Sequence, residues 1–155
     1  MDVPVVDIQD LGFSYGEAVV LHDVGMQVRR GQVFAIVGPN AAGKTTLLRC
    51  MERVLRPTTG VVRLDGRATR TLSARELSRT VAVVPQAHAP VFPYTVQEVV
   101  LMGRNPHVGV GSAPGPADVE KAREALAALD MLELAGRPYT QLSGGQLQLV
   151  LLARA

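Results

Sequence analysis

The sequence has no tryptophan, a single cysteine, and only six Phe and Tyr rings among its 155 residues. The lone Cys50 excludes an internal disulfide and suits a reducing cytoplasm. It falls in a helical stretch with no histidine paired to it, which reads as core packing rather than reactivity. No stretch approaches the roughly eighteen apolar residues of a membrane-spanning helix, so any membrane role is expected to come through a partner. Met1-Asp2-Val3-Pro4 lacks the charged-then-apolar layout of a signal peptide. Charge of either sign is never concentrated. Fourteen of the sixteen cations are arginines scattered along the chain, and the net charge is +2. No basic block marks a nucleic-acid arm, and no internal repeat is visible. What remains is 47% apolar and 19% charged, the balance of a globular protein of about one domain.

The first thirty residues read as short strands, Val3 to Ile8, Val19 to Leu21 and Val24 to Val28, with Gly12 to Gly16 as a loop bearing Phe13 and Tyr15. Val33 to Val37 is a continuous apolar run, the pattern of a strand buried on both faces. A glycine-bearing turn and a helix from Lys44 to about Val54 follow. Val61 to Leu64 predicts a strand ending in an Asp65-Gly66 turn, and Ser73-x-x-Glu76 predicts a capped helix. Val81 to Val84 reads as a second buried strand stopped by Pro85. Thr95-x-x-Glu98 caps the next helix. Val119, Ala122, Leu126 and Leu129 recur at helical spacing, and a last helix begins near Ser143.

Gly38-Pro39-Asn40-Ala41-Ala42-Gly43-Lys44-Thr45 fits the phosphate-loop pattern G-x-x-x-x-G-K-[ST]. Successive backbone N–H groups can curl around phosphate oxygens only where side chains are small. The helix starting at Lys44 adds the positive end of its dipole. Lys44 supplies a cation to the β- and γ-phosphates, and the Thr45 hydroxyl is a Mg²⁺ ligand. The pattern arises by chance in roughly one chain of this length in two hundred, and the strand before and helix after reduce that further. Thr46 completes the candidate ATP-binding segment.

Leu142-Ser143-Gly144-Gly145-Gln146 precedes an apolar helical run. Ser143-x-x-Gln146 is itself a capping box, but that leaves two glycines, poor helix formers, unexplained at the first turn. A second phosphate approaching this helix start would explain them. With these motifs in this order the chain resembles the nucleotide-binding domain of ATP-binding-cassette (ABC) proteins. Leu142 to Gln146 stands at the family signature, Gln86 at the Q-loop glutamine, and Tyr15 at the aromatic that stacks on adenine. The resemblance covers essentially the whole chain. Val99 to His107 is similar to the segment after the Q-loop in importers of iron chelates, haem and cobalamin.

The resemblance implies an α/β P-loop NTPase, with a RecA-like core carrying an N-terminal antiparallel β part, plus a helical subdomain. The expected boundaries are 1–87 for the core's N-terminal part, 88–142 for the helical subdomain and 143–155 for the signature helix. It further implies ATP and Mg²⁺ as cofactors, with Lys44 and Gln86 in the catalytic set and Gln86 touching Mg²⁺ or the attacking water. Ser143, Gly144, Gly145 and Gln146 would close over ATP on the opposite monomer of a head-to-tail dimer. Transmembrane permease subunits are the expected partners, nucleic acid is not, and the place is the cytoplasmic face of the inner membrane. The alternatives are a non-hydrolytic nucleotide-binding module and a non-transport ABC protein acting on DNA or ribosomes.

Two departures stand out. Ala41 occupies a position often glycine in the family, where its methyl group restricts the backbone. The family's apolar strand ending in Asp-Glu, and its later histidine, are absent. Val61 to Asp65 is interrupted by Arg63 and followed by Gly66, and Leu126 to Asp130 lies in a helix and is followed by Met131. The chain is therefore expected to be the N-terminal portion of a longer protein, truncated before its catalytic elements and poorly soluble alone. His22, His88 and His107 stand apart from one another and from suitably spaced carboxylates, so they read as structural or surface residues.

Overall fold

The computed structural model describes residues 3–86, 92–109 and 111–155. The chain divides into two compact units, Met1–Val81 and Ala82–Ala155.

The first unit is a four-stranded antiparallel sheet in the order β2-β1-β3-β4 with two helices. Strand β1 (Val6–Tyr15) and β2 (Ala18–Val28) form one long hairpin. The expected loop at Gly12 to Gly16 is strand as far as Tyr15, because Phe13 pairs with Leu21, Ser14 with Val19 and Tyr15 with Ala18. The turn reduces to Gly16 and Glu17, with Gly16 at φ 58, the positive φ that a two-residue hairpin demands of its first loop residue. Strand β3 (Thr59–Leu64) turns through Asp65 and Gly66, at φ 45 and 77, into β4 (Arg67–Ala68), the tight hairpin expected from Asp-Gly. Helix α1 (Lys44–Met51) lays Leu47 and Cys50 against Ile8, Leu11, Phe13, Leu21 and Val62. Cys50 is thus a core residue, and its burial raises the thiol pKa. Helix α2 (Ala74–Thr80) closes the unit.

The two apolar runs expected to be buried strands are not strands. Residues 33–37 and 81–84 lie outside every strand, with Val33 and Val37 101% and 86% exposed and Val83 and Val84 also exposed. A strand exists only where a neighbour accepts and donates its ladder hydrogen bonds, and among the described residues none pairs with either run. Sequence pattern supplies the apolar content but not the partner.

The second unit is helical. Helices α3 (Val96–Leu101), α4 (Pro116–Ala127) and α5 (Gly144–Arg154) enclose Val96, Val99, Val100, Ala122, Leu126, Tyr139 and Val150. The helical spacing of Ala122 and Leu126 thus marks a real core face. Gly103, in the short 3-10 turn after α3, has a packing reason invisible in sequence. A Cβ there would lie 2.0 Å from the Arg154 carbonyl oxygen at the end of α5. Residues 87–91, which include His88, lie outside the described residues.

The caps anticipated at Ser73, Thr95 and Ser143 all form, each with a reciprocal bond from the third residue on. They carry a pH dependence. The Ser73 backbone N–H, Arg67 and the Ser73 hydroxyl lower the Glu76 pKa to about 2, and the Thr95 backbone N–H lowers that of Glu98. Both carboxylates are depressed in the folded state, so their stabilisation is complete above the ordinary value of 4.5 and fades as pH falls. Thermal unfolding between pH 5 and about 2 should show Glu76→Gln and Glu98→Gln variants losing less stability on acidification than the parent. An equal loss would remove the caps from the acid response.

Candidate functional site

The loop 38–43 ends on Gly43, whose φ is 83 and whose added Cβ would meet Leu21 Cδ2 at 2.9 Å and the Val20 carbonyl oxygen at 3.1 Å. Only glycine allows the loop to pass so close to β2 and turn directly into α1. Gly38 is also conformationally demanding, at φ 157. Ala41 sits at φ 63, the left-handed region where a Cβ costs about 1 kcal/mol. The restriction expected from its methyl group is therefore a strain that the loop carries.

Lys44 folds back over this loop. Its Nζ donates to the Gly38 carbonyl oxygen at 2.8 Å and to the Pro39 carbonyl oxygen at 2.6 Å, which holds the ammonium across the loop. The start of α1 has no side-chain cap and no acidic residue in its first turn. The helices α2, α3 and α5 all close their N-termini with their own side chains. The first-turn N–H groups of α1 lack intrahelical acceptors by geometry, and the local dipole end is positive. Thr45 is exposed, while Thr46 is buried at 8% exposure. Small residues, open amides, one ammonium and one free-facing hydroxyl are the donor set a Mg²⁺-triphosphate needs. The residues fit that group.

Tyr15 ends β1, half exposed, with its ring edge-on to Phe13 at a centroid distance of 4.8 Å. The exposed side of such a ring is free to stack on a planar ligand.

The other candidates lie in the second unit. Gln86 is exposed, and its carbonyl oxygen accepts from Nε2 of Gln148 on α5 at 3.2 Å. This contact was not legible in sequence, since Gln148 belongs to no motif. Ser143 Oγ accepts from the Gln146 N–H at 3.3 Å, and Gln146 Oε1 accepts from the Ser143 N–H at 3.0 Å. Gly144 and Gly145 are exposed, have no positive φ, and would meet nothing within 4 Å if given a Cβ. Neither turn geometry nor packing within the chain calls for glycine there.

The glycine-bearing turn, the Lys44 ammonium across it and the uncapped α1 are the local arrangement of a P-loop protein. The ABC transporter family model matches residues 21–155, and the chain belongs to that family. A hemin import ATP-binding protein of Pseudomonas entomophila is 42% identical over 150 residues, 97% of this chain and 57% of that protein. An iron(3+)-hydroxamate import ATP-binding protein of Bacillus subtilis is 35% identical over 147 residues, 95% of this chain and 55% of that protein. A solved nucleotide-free ATP-binding cassette of an ABC transporter superposes with a TM-score of 0.83 at 28% identity, covering 98% of this chain and 64% of that one. The chain spans about half the length of the curated relatives it matches. The expected fold class is that of these cassettes, with the antiparallel β part and the helical part both present.

Proposed function

We propose that the chain is the ATP-binding part of an ABC import subunit, from the group whose relatives carry haem, cobalamin and iron-hydroxamate import names. The observation that carries this reading is the uncapped α1 behind a loop already crossed by Lys44. ATP would lie with its phosphates on residues 38–46 and its base against Tyr15. Thr45 would hold Mg²⁺, which offsets the phosphate charge. The permease would be a membrane partner reached from the cytoplasmic face. No helix among the described residues is long and apolar enough to cross a membrane.

Hydrolysis is a different matter. Water attack on the γ-phosphate needs a group that orients the water and further charge at the metal. No apolar strand ending in Asp-Glu occurs in these 155 residues. The reading is therefore that this chain binds ATP without turning it over. Equilibrium binding of Mg-ATP should be saturable, with phosphate release at the background rate. Phosphate release well above background would overturn this reading.

Gly144 and Gly145 support the composite-site reading, because their cost has no return inside the chain. Replacing each with alanine should stabilise α5 by roughly 0.8–1 kcal/mol, since space is open at both. The same changes should weaken ATP-dependent self-association, measured by sedimentation, because a methyl group would stand where a partner's phosphate approaches. A more stable chain with unchanged association would count against the signature's role.

A further inference from the structure

A second concave surface of the first unit gathers cations that the nucleotide site does not use. Arg53, Arg56 and Arg70 line one cavity of about 580 Å³ together with Thr58, Thr59 and Thr69, and no carboxylate lines it. Fourteen and seventeen residues separate the arginines of the helix end from Arg70, so the cluster is made by folding alone.

The three arginines have different duties. Helix α1 ends with Arg53 in the left-handed conformation at φ 58, its N–H donating to the Cys50 carbonyl at 3.1 Å and that of Val54 to the Arg49 carbonyl at 2.9 Å. This is a Schellman ending, where glycine is the usual residue. Arg53 recovers the cost by donating from Nη1 to the Thr69 carbonyl at 3.1 Å and to the Leu72 carbonyl. Those two carbonyls bracket Arg70, so Arg53 fixes the segment that carries it. Arg56 and Arg70 themselves are exposed, and neither has an ion pair or hydrogen bond among the described residues. Elsewhere in this unit guanidinium groups find carboxylates, Arg30 with Asp65 and Arg67 with Glu76 at 2.9 Å each. Like charges gathered in one cavity repel unless an anion joins them. Thr59 already donates to the Asp10 carbonyl at 3.3 Å, and Arg53 is bound to the Thr69 and Leu72 carbonyls, which leaves the Arg56 and Arg70 guanidinium groups as the uncommitted cations of the lining. Forked donors without acceptors match the oxygens of a phosphate group.

We propose that this cavity is a phosphate-group site, separate from residues 38–46, with Arg56 and Arg70 as ligands and Arg53 as the positioning residue. The phosphate could be that of a free anion or of an anionic lipid headgroup, and the same chemistry serves both.

The test uses the 155-residue chain with Lys44→Ala, which silences the phosphate loop. Pyrophosphate is titrated calorimetrically, and vesicles of phosphatidylglycerol or of phosphatidylcholine are tested by co-sedimentation. Binding of pyrophosphate or of phosphatidylglycerol vesicles is expected to persist in Lys44→Ala. Adding Arg56→Gln and Arg70→Gln should weaken it by about a hundredfold, roughly tenfold for each charge-assisted fork. A charge-matched control, Lys121→Gln with Arg123→Gln, should change it less than about twofold, as expected for exposed charges that do not line the cavity. Pyrophosphate binding alone identifies a free anion, and selective phosphatidylglycerol binding alone identifies a headgroup. Absence of both, or a loss no greater than in the control, overturns the site. Both arginines are exposed, so an unchanged melting temperature is expected to accompany the loss.

Discussion

Lys44→Ala is expected to lower the affinity of the chain for Mg-ATP by about a hundredfold while leaving its melting temperature nearly unchanged. The affinity loss follows from two charge-assisted hydrogen bonds to phosphate oxygens, each contributing roughly 1.5–3 kcal/mol. The smaller end of that range already gives about 3 kcal/mol, or about two powers of ten. The unchanged melting temperature follows from what Lys44 touches in the absence of nucleotide. Its two acceptors, the carbonyls of Gly38 and Pro39, belong to exposed contacts, and water can replace the ammonium at both. Lys44→Arg should recover little, since a planar fork cannot take the place of a compact ammonium within so tight a loop. Calorimetric titration of the three proteins checks this. Equal affinities across them would show that the loop is a connection into α1 and nothing more.

How much of this was visible in the residues depends on the range of the interaction. Capped helix starts at Ser73, Thr95 and Ser143, the Asp65-Gly66 hairpin and the core face of α4 were all legible, because each depends on residues within four positions. The glycine-bearing turn leading into α1 was legible from its own residues as well. Gly12 to Gly16 reads as loop in sequence, since glycine and serine are poor strand formers, yet it is strand as far as Tyr15. The ladder to β2, set by Leu21 and Val19, decides the matter instead. Residues 33–37 and 81–84 failed in the opposite direction. Their composition is that of buried strands, yet the described residues offer no edge to pair with them. An apolar run of this kind, left open, is a site for association with another strand, which is the physical content of the expected low solubility.

Ala41 and the two signature glycines show a related asymmetry. At Ala41 the chain uses a methyl-bearing residue where the backbone asks for none, at φ 63. At Gly144 and Gly145 it uses glycine where the backbone and its surroundings would accept a side chain. Local rules are broken in both directions within the segments that carry the family resemblance. Such breaks gather where a ligand, rather than the chain itself, completes the structure. Arg53 shows that a similar break can also have a purely internal return, since its guanidinium ties down the carbonyls of Thr69 and Leu72.

Gly60→Ala should cost the first unit more than any other single glycine replacement in its sheet, about 3 kcal/mol or more. Two independent penalties combine there. Gly60 has φ 78, where any Cβ costs roughly 1–2 kcal/mol. An added Cβ would also stand 2.3 Å from the Asp10 carbonyl oxygen and 2.4 Å from that of Gln9. Both are backbone atoms of β1, so relief requires moving the strand, not rotating a side chain. The site is also a register break, since the pairing of β1 with β3 shifts between Gln9 and Gly12, and Asp10 lies at φ 50 within it. The bulge brings β1 over Gly60 and leaves no room for relaxation. Gly16→Ala supplies the comparison. Its φ is 58, but nothing lies within 4 Å of an added Cβ, so it should cost only the conformational penalty of about 1 kcal/mol. Urea unfolding of both variants isolates the clash as their difference. Hydrogen exchange should show lost protection in β1 and β3 for Gly60→Ala and only at the hairpin tip for Gly16→Ala. Equal destabilisation of the two would mean that β1 yields easily at Asp10, and that the bulge is a soft feature of the sheet.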